Sequence, residues 1–208
     1  MISLFIDTSI SFPTISFVKN DEVLFYFHEE IKFDMSSRIL PIIDLGLKEA
    51  NISLNSIEKI FIVTGPGSFT GVRIGVTIAK TIAWALKKDL IPISSLEYMA
   101  TTLTEKKYLI PIIDARRGNV FAGIYDNNLN CLQNDSLINL EELIKGKNND
   151  YELLSYDKLE NAIIPIPNII KLINKHFNDV GINPHTLKPN YLKLTEAEEN
   201  RKKVLEND

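Results

Sequence analysis

One stretch, residues 59–86, constrains the fold of this chain more than any other. It begins with the apolar segment KIFIV, turns on GPG at 65–67, and continues as an apolar helix over about 70–87. A strand, a glycine-rich turn and a helix are typical of phosphate-binding βα units. Here, however, Thr70 stands where the dinucleotide fingerprint requires its third glycine, and GVR at 71–73 replaces the Gly-Lys-Ser/Thr of a P-loop. The stretch therefore predicts an α/β fold but neither of these nucleotide-binding motifs.

The predicted helix carries a stripe of small residues on one side. Gly71, Gly75, Ala79 and Ala83 recur every four residues, which places them in one row along a helix. Small side chains let another backbone approach closely. The stripe is therefore a candidate surface for docking a partner helix. Internal packing explains the same pattern equally well, and the residues alone leave both interpretations open.

Composition and charge bound the class of protein. Hydrophobic residues make up 45% of the 208-residue chain and charged residues 24%, which is ordinary for a globular protein with a core of its own. The net charge of −4 argues against a protein that mainly grips nucleic acid. Cys131 has no second cysteine to pair with. No signal peptide is evident, and Arg73 and Lys80 interrupt the longest apolar run, so a soluble cytoplasmic protein without a membrane segment is expected.

The order of elements predicts two lobes. Residues 1–103 read as three strands followed by alternating helices and strands, which favours a mixed sheet with helices on its faces. Residues 104–208 form a smaller lobe that also opens with strands, so an internal duplication is expected. Ser36 or Ser37 is the predicted cap of a helix that ends near residue 50. Further helices are predicted at 167–180, with Phe177 inward, and on the surface at about 195–205.

Few residues offer catalytic chemistry. Asp7 ends the first strand, where an acid can hold Mg²⁺ or orient a water, or can simply bond the amides of its own turn. Asp114 ends the strand that opens the second lobe. The three histidines lack metal-ligand spacing, so no metal site is expected. The pair Arg116 and Arg117 could bind an anion, although a solvated turn is the more ordinary explanation.

Five segments of the chain together match the pattern of one protein family. The most specific is GPGSFTGVRIG at 65–75. The others, in order along the chain, are LFIDTS at 4–9, SSRILP at 36–41, IDARRGNVF at 113–121 and PNYLK at 189–193. In these segments the chain resembles the TsaB (YeaZ) family of tRNA threonylcarbamoyladenosine biosynthesis proteins. Met35, directly before SSRILP, stands where the family has a histidine. The resemblance spans nearly the whole chain, apart from the middle of the second lobe.

The resemblance implies an actin/Hsp70-like fold of two RNase-H-like lobes, the second one reduced. It also implies a non-catalytic scaffold and activator that pairs with the catalytic paralogue TsaD, with the ATPase TsaE as a further partner. That complex transfers threonylcarbamoyl to N6 of adenosine 37 in tRNAs that read ANN codons. On this view the chain has no cofactor of its own, the partner subunits use ATP and a metal ion, and tRNA is contacted only indirectly.

The resemblance and the apolar helices together predict an interface. The stripe residues named above, with Ile39 and Ile43 of the preceding helix, are expected to pack against the equivalent helices of TsaD, or of a second copy when TsaD is absent. Replacing Gly75 or Ala79 with Leu is expected to block docking and leave the monomer folded. The alternatives are an independent nucleotide-binding hydrolase or peptidase that uses Asp7 in the interlobe cleft, and a homodimeric interaction module.

Overall fold

The first of two sheets is built from the N-terminal half of the chain. The computed structural model describes residues 1–116, 118–145 and 150–192. The first five strands are β1 (Ile2–Asp7), β2 (Thr14–Lys19), β3 (Glu22–His28), β4 (Lys59–Val63) and β5 (Asp89–Ile93). They lie in the order β3-β2-β1-β4-β5. The first three form an antiparallel meander, and β1, β4 and β5 are parallel.

The second sheet repeats this arrangement. Its strands are β6 (Tyr108–Asp114), β7 (Asn119–Asp126), β8 (Cys131–Asn139), β9 (Tyr151–Leu154) and β10 (Ala162–Ile163). The order is β8-β7-β6-β9-β10 when read from the same edge, again with an antiparallel meander followed by parallel strands. The matching order confirms the predicted duplication.

Helices cover both faces of the first sheet. The α-helices of the described residues are α1 (Met35–Glu49), α2 (Phe69–Leu86), α3 (Ser95–Met99), α4 (Leu140–Ile144) and α5 (Ile169–Lys175). Side chains alternate along β1, so Leu4 and Ile6 pack against α1 and α2, whereas Phe5 packs on the other face with Leu172 of α5. The chain therefore returns to the first sheet after completing the second.

Helix α3 lies between the two sheets. Its Tyr98 packs on Phe5 of the first sheet, with ring centroids 4.7 Å apart. Leu96 and Met99 instead join the cluster around Leu109 of the second sheet. The opposite face of the second sheet is covered by α4 through Leu143. One short helix thus contributes to the cores on both sides of the lobe junction.

By length and composition alone, helix α2 is long and apolar enough to cross a membrane. The buried core helices of globular proteins often have the same length and composition. Here the apolar residues have a local explanation. Seven of the helix residues are buried, and they include Val72, Val76 and Ile82 in the cluster under the first sheet.

Several local predictions differ from the structure. Neither Ser36 nor Ser37 caps α1, because the N-cap is Asp34 in the left-handed region and the Ser37 hydroxyl donates to the Asp34 carbonyl. Helix α5 ends at Lys175, and Phe177 is 47% exposed rather than inward. The predicted helix at about 195–205 lies outside the residues that the structure describes.

Candidate docking surface and interlobe cleft

The turn before α2 is fixed by close backbone contacts with the β1–β2 loop. Gly65 has φ +105 and Gly67 has φ +155, and a Cβ on Gly67 would overlap the carbonyl of Ser9. The amide of Ser68 donates to that same carbonyl at 2.7 Å. Ser68 is also the N-cap of α2, since its hydroxyl accepts from the amide of Gly71. Gly67 therefore serves packing between these two segments, whereas a Cβ on Gly65 would meet the backbone oxygen of Asn190.

The small residues of α2 permit an equally close contact with β1. A Cβ on Gly71 would overlap the carbonyl oxygen of Thr8, and one on Gly75 would overlap the Thr8 hydroxyl. That hydroxyl donates to the Gly71 carbonyl at 2.7 Å and accepts from the Gly75 amide at 3.0 Å. The Thr8 hydroxyl thus bridges the carbonyl of Gly71 and the amide of Gly75, a pair that an α-helix normally joins by a direct hydrogen bond. Gly71 and Gly75 of the stripe therefore accommodate Thr8, the residue that follows the chain's own first strand.

The prediction that the stripe forms the docking surface is corrected by this packing. Its residues, and the two isoleucines predicted to accompany them, are all buried within the chain. They are Gly71, Gly75, Ala79, Ala83, Ile39 and Ile43. A larger side chain at Gly75 would strain the monomer, because its Cβ would already overlap the Thr8 hydroxyl, so we now expect such a variant to be destabilised.

The face that remains available lies on the opposite side of the same helices. On α2 the exposed residues Arg73, Thr77, Thr81 and Trp84 follow one another at helical spacing, and Trp84 is 63% exposed. On α1 the exposed apolar side chains are Leu40 at 55% and Leu45 at 47%. These six residues are called the helix-pair face below. A helical wheel could have separated this polar and aromatic row from the small-residue row.

A cleft of about 570 Å³ lies between the lobes. Its walls come from the β1–β2 loop, the start of α2, the end of β6 and the segment after β9. They include Phe12, Tyr156, Asp114, Arg116 and Asp157. The cleft is thus lined by aromatic groups together with two carboxylates and one guanidinium.

Asp7 is not among the residues that line this cleft. Its side chain is buried and accepts a hydrogen bond from the amide of Ser9 at 2.8 Å. Burial raises the pKa of the Asp7 carboxyl to about 6, and the hydrogen bond from Ser9 only partly opposes this. The geometry is that of a turn residue bonding its own loop, which was one of the two interpretations left open.

Asp114 and Arg116 form a turn of their own. The Asp114 carboxylate accepts from the amide of Arg116, and the Asp114 amide donates to the carboxylate of Asp157, both at 2.8 Å. Arg116 is exposed and has a positive φ of 68°. Arg117 lies outside the described residues. Within those residues, no group of three acidic, histidine or cysteine side chains could hold a metal ion.

Comparisons with known proteins identify relatives over nearly the whole chain. The family model TsaD, tRNA N6-adenosine threonylcarbamoyltransferase, matches residues 29–191. The tRNA threonylcarbamoyladenosine biosynthesis protein TsaB of Bacillus subtilis is 33% identical over 95% of this chain and 96% of its own length. A tRNA N6-adenosine threonylcarbamoyltransferase of Persephonella marina is 36% identical over 34% of this chain and 21% of its own.

A solved structure supports the fold. YeaZ from Pseudomonas aeruginosa superposes with a TM-score of 0.78, at 21% identity, over 92% of this chain and 99% of that chain. With the repeated strand order of the two sheets, this confirms the predicted actin/Hsp70-like fold with a reduced second lobe.

Proposed function

Because the chain belongs to the TsaB family of tRNA threonylcarbamoyladenosine biosynthesis proteins, we propose that it takes part in that biosynthesis as a non-catalytic subunit paired with TsaD. On this proposal it acts as scaffold and activator for threonylcarbamoyl transfer to N6 of adenosine 37. Its own part is to present a surface to the catalytic paralogue.

The observation that carries this proposal is the helix-pair face. Tryptophan is among the residues that most often dominate binding energy at interfaces, and Trp84 is exposed on the longest helix of the described chain. Leu40 and Leu45 add exposed apolar area on the neighbouring helix. A face of this kind is suited to a protein partner.

The sequence similarity between this chain and the TsaD family favours TsaD as that partner. The TsaD model matches residues 29–191, a range that includes both α1 and α2. A paralogue of the same fold would carry an equivalent helix pair, and two similar faces can meet about a pseudo-twofold axis as they do in homodimers. For the same reason, a second copy of this chain could use the face when TsaD is absent.

The remaining expectations follow from this role. Asp7 is buried and its acceptor is committed to the Ser9 amide, which suits a subunit whose chemistry lies elsewhere. We infer that TsaD and TsaE use the metal ion and ATP, that this subunit holds no cofactor, and that tRNA is reached through TsaD. The net charge of −4 is consistent with that indirect contact, and the cytoplasm is the expected location.

Size-exclusion chromatography with light scattering tests the pairing. The protein alone and mixed with TsaD from its own host should differ, with a stable heterodimer in the mixture at micromolar concentrations. No shift, with and without TsaE and ATP, would overturn the proposed pairing.

A variant pair tests the surface. Trp84→Ala should weaken association with TsaD by about tenfold or more, because a large exposed anchor is lost. Leu103→Ala is the matched control, since Leu103 is 75% exposed in the segment after α3 and outside the helix pair. Equal losses from the two variants would mean that the helix-pair face is not the docking site.

A further inference from the structure

The segment 182–191, called the strap, runs along α2 from its C-terminal end towards its N-terminal end. The Ile182 amide donates to the carbonyl of Leu90, which follows α2, and the Asn190 amide donates to Thr64, which precedes it. Leu187, in the middle of the strap, is buried in the cluster that α2 shares with the first sheet. The strap is thus tied to the first lobe at both ends and at its centre.

About two-thirds of the way along α2 a lysine reinforces this attachment. The Lys80 ammonium donates to the carbonyl of Leu187 at 2.9 Å. The strap backbone therefore has a fixed position along one flank of the helix.

At the N-terminal end of α2 the strap holds Arg73. The Arg73 Nε donates to the Tyr191 hydroxyl at 2.7 Å. The guanidinium lies over the ring of Phe69, 3.7 Å from its centroid, and Tyr191 stacks on Phe69 at 4.8 Å. Arginine, phenylalanine and tyrosine thus form one contact set although Arg73 and Tyr191 are both exposed.

At the other end of α2 the strap contacts Trp84. The imidazole of His185 meets the indole edge-on, with ring centroids 6.1 Å apart. The two largest side chains of the exposed row on α2, Arg73 and Trp84, are therefore both in contact with the strap. A side chain held in its bound conformation loses less conformational freedom on association than a free one.

We propose that Tyr191 and His185 are positioning residues that preorganise Arg73 and Trp84 for docking of the TsaD paralogue. This rests on the proposed function, because it deepens the use of the helix-pair face. It assigns the strap a role in affinity although the strap itself need not touch the partner.

A double-mutant cycle on the full-length protein tests the proposal. Tyr191→Phe keeps the ring on Phe69 and removes only the acceptor for Arg73, so it should weaken TsaD binding by about three- to tenfold in calorimetry. In an Arg73→Ala background the same change should alter the Kd less than twofold, because its target is gone. Additive effects of the two changes would overturn the proposal.

Stability and a neighbouring residue provide the controls. Tyr191→Phe and His185→Ala should leave the thermal midpoint of the isolated protein unchanged, whereas a merely structural role would lower it. Lys188→Ala, at an exposed position of the same strap, should leave the Kd unchanged. A wild-type protein that fails to bind TsaD overturns the proposed pairing and this proposal with it. Wild-type binding together with Tyr191→Phe binding within twofold of it overturns only the positioning role.

Discussion

The two lobes share one strand order but differ in how their last two parallel strands are joined. In the first lobe β4 and β5 are connected by α2, which is 18 residues long. In the second lobe residues 155–161, all within the described chain, connect β9 and β10 without a helix. Parallel strands usually need a crossover of a dozen residues or more. The shortened crossover explains why the described part of the second lobe has no counterpart of α2, and so none of the helix-pair face.

The strand-end acids of the two lobes show the same difference at a single position. Asp7 ends β1 and is buried, whereas Asp114 ends β6 and is exposed on a wall of the cleft. Where the lobe has kept its long helix, the strand end lies in the interior and the acid is desolvated. Where the helix is absent, the acid remains in contact with solvent. Position in the topology alone therefore does not assign a catalytic role to either acid.

The strongest test of the comparison places a large side chain in the contact between α2 and β1. Gly75→Leu should destabilise the monomer by about 4 kcal/mol or more, or prevent folding, because its Cβ already overlaps Thr8 and buried neighbours leave no space. Thermal and urea unfolding followed by circular dichroism would measure the loss. Thr77→Leu, on the exposed side of the same helix, is the matched control and should cost little. A stable Gly75→Leu monomer would mean that the helix can move away from the strand.

A second prediction concerns the buried acid. Because burial raises the pKa of Asp7 from 3.8 to about 6, the folded protein binds this proton more tightly than the unfolded chain. The contribution of Asp7 to stability is therefore full below pH 3.8 and is lost as the pH rises through 6. Asp7→Asn keeps an acceptor for Ser9 and removes the cost of a buried charge. It should raise the free energy of unfolding at pH 8 by up to about 3 kcal/mol, with the gain vanishing near pH 4.

The exposed acid provides the comparison for that measurement. Asp114→Asn should change stability by less than about 0.5 kcal/mol at either pH, since its side chain is exposed. A loss of stability in Asp7→Asn at pH 8 would show that the carboxylate is ionised and well paired in the folded protein.

Calorimetry with ATP and Mg²⁺ tests whether Asp7 has a role in nucleotide binding. Tight binding that Asp7→Ala abolishes would favour the independent hydrolase.

The contrast also extends to the residue after each acid. Thr8 follows Asp7 and bonds both Gly71 and Gly75 of α2, whereas Ala115 follows Asp114 in the lobe that has no such helix. Thr8→Val should destabilise the protein by about 2 kcal/mol, because two buried backbone groups lose their partner. Thr8→Ser retains the hydroxyl and should recover most of this loss in urea titrations. A Thr8→Ser variant that loses more stability than Thr8→Val would show that the methyl group, and not the hydroxyl bridge, matters.

The small-residue stripe shows how far sequence reasoning reached. Spacing along α2 predicted the row of Gly71, Gly75, Ala79 and Ala83 correctly, because helical periodicity is a local property. The identity of the approaching segment could not be predicted, since the close contact comes from Thr8, 63 residues earlier than Gly71. The local pattern demands a close neighbour but does not say which one. Whether the row packs on the chain's own sheet or on a partner depends on a tertiary contact, and local spacing carries no information about that contact.

The ends of elements were less predictable than their existence. The order of strands and helices along residues 1–103 followed from apolar runs and turns. At α1 the N-cap is Asp34, whose φ of 57° lies in the left-handed region. Serines near the start of a helix do not predict an N-cap of this conformation. At α5 the apolar pattern continued to Phe177, but the helix ends at Lys175. Such boundaries depend on where the next segment must go.

The smallest effect is expected at a glycine of the second lobe, and it isolates backbone strain from packing. Gly118 has φ +75, and a Cβ there would meet only the side-chain nitrogen of Asn139 at 3.8 Å, an ordinary contact. Gly118→Ala should therefore cost only about 1 kcal/mol, the price of a left-handed conformation for an L-residue. Gly118→Asn should cost less, because asparagine tolerates this region better. If Gly118→Ala destabilised the protein as much as Gly75→Leu, the second lobe would also contain a closely packed contact at this turn, and the difference between the lobes would not lie in the missing helix.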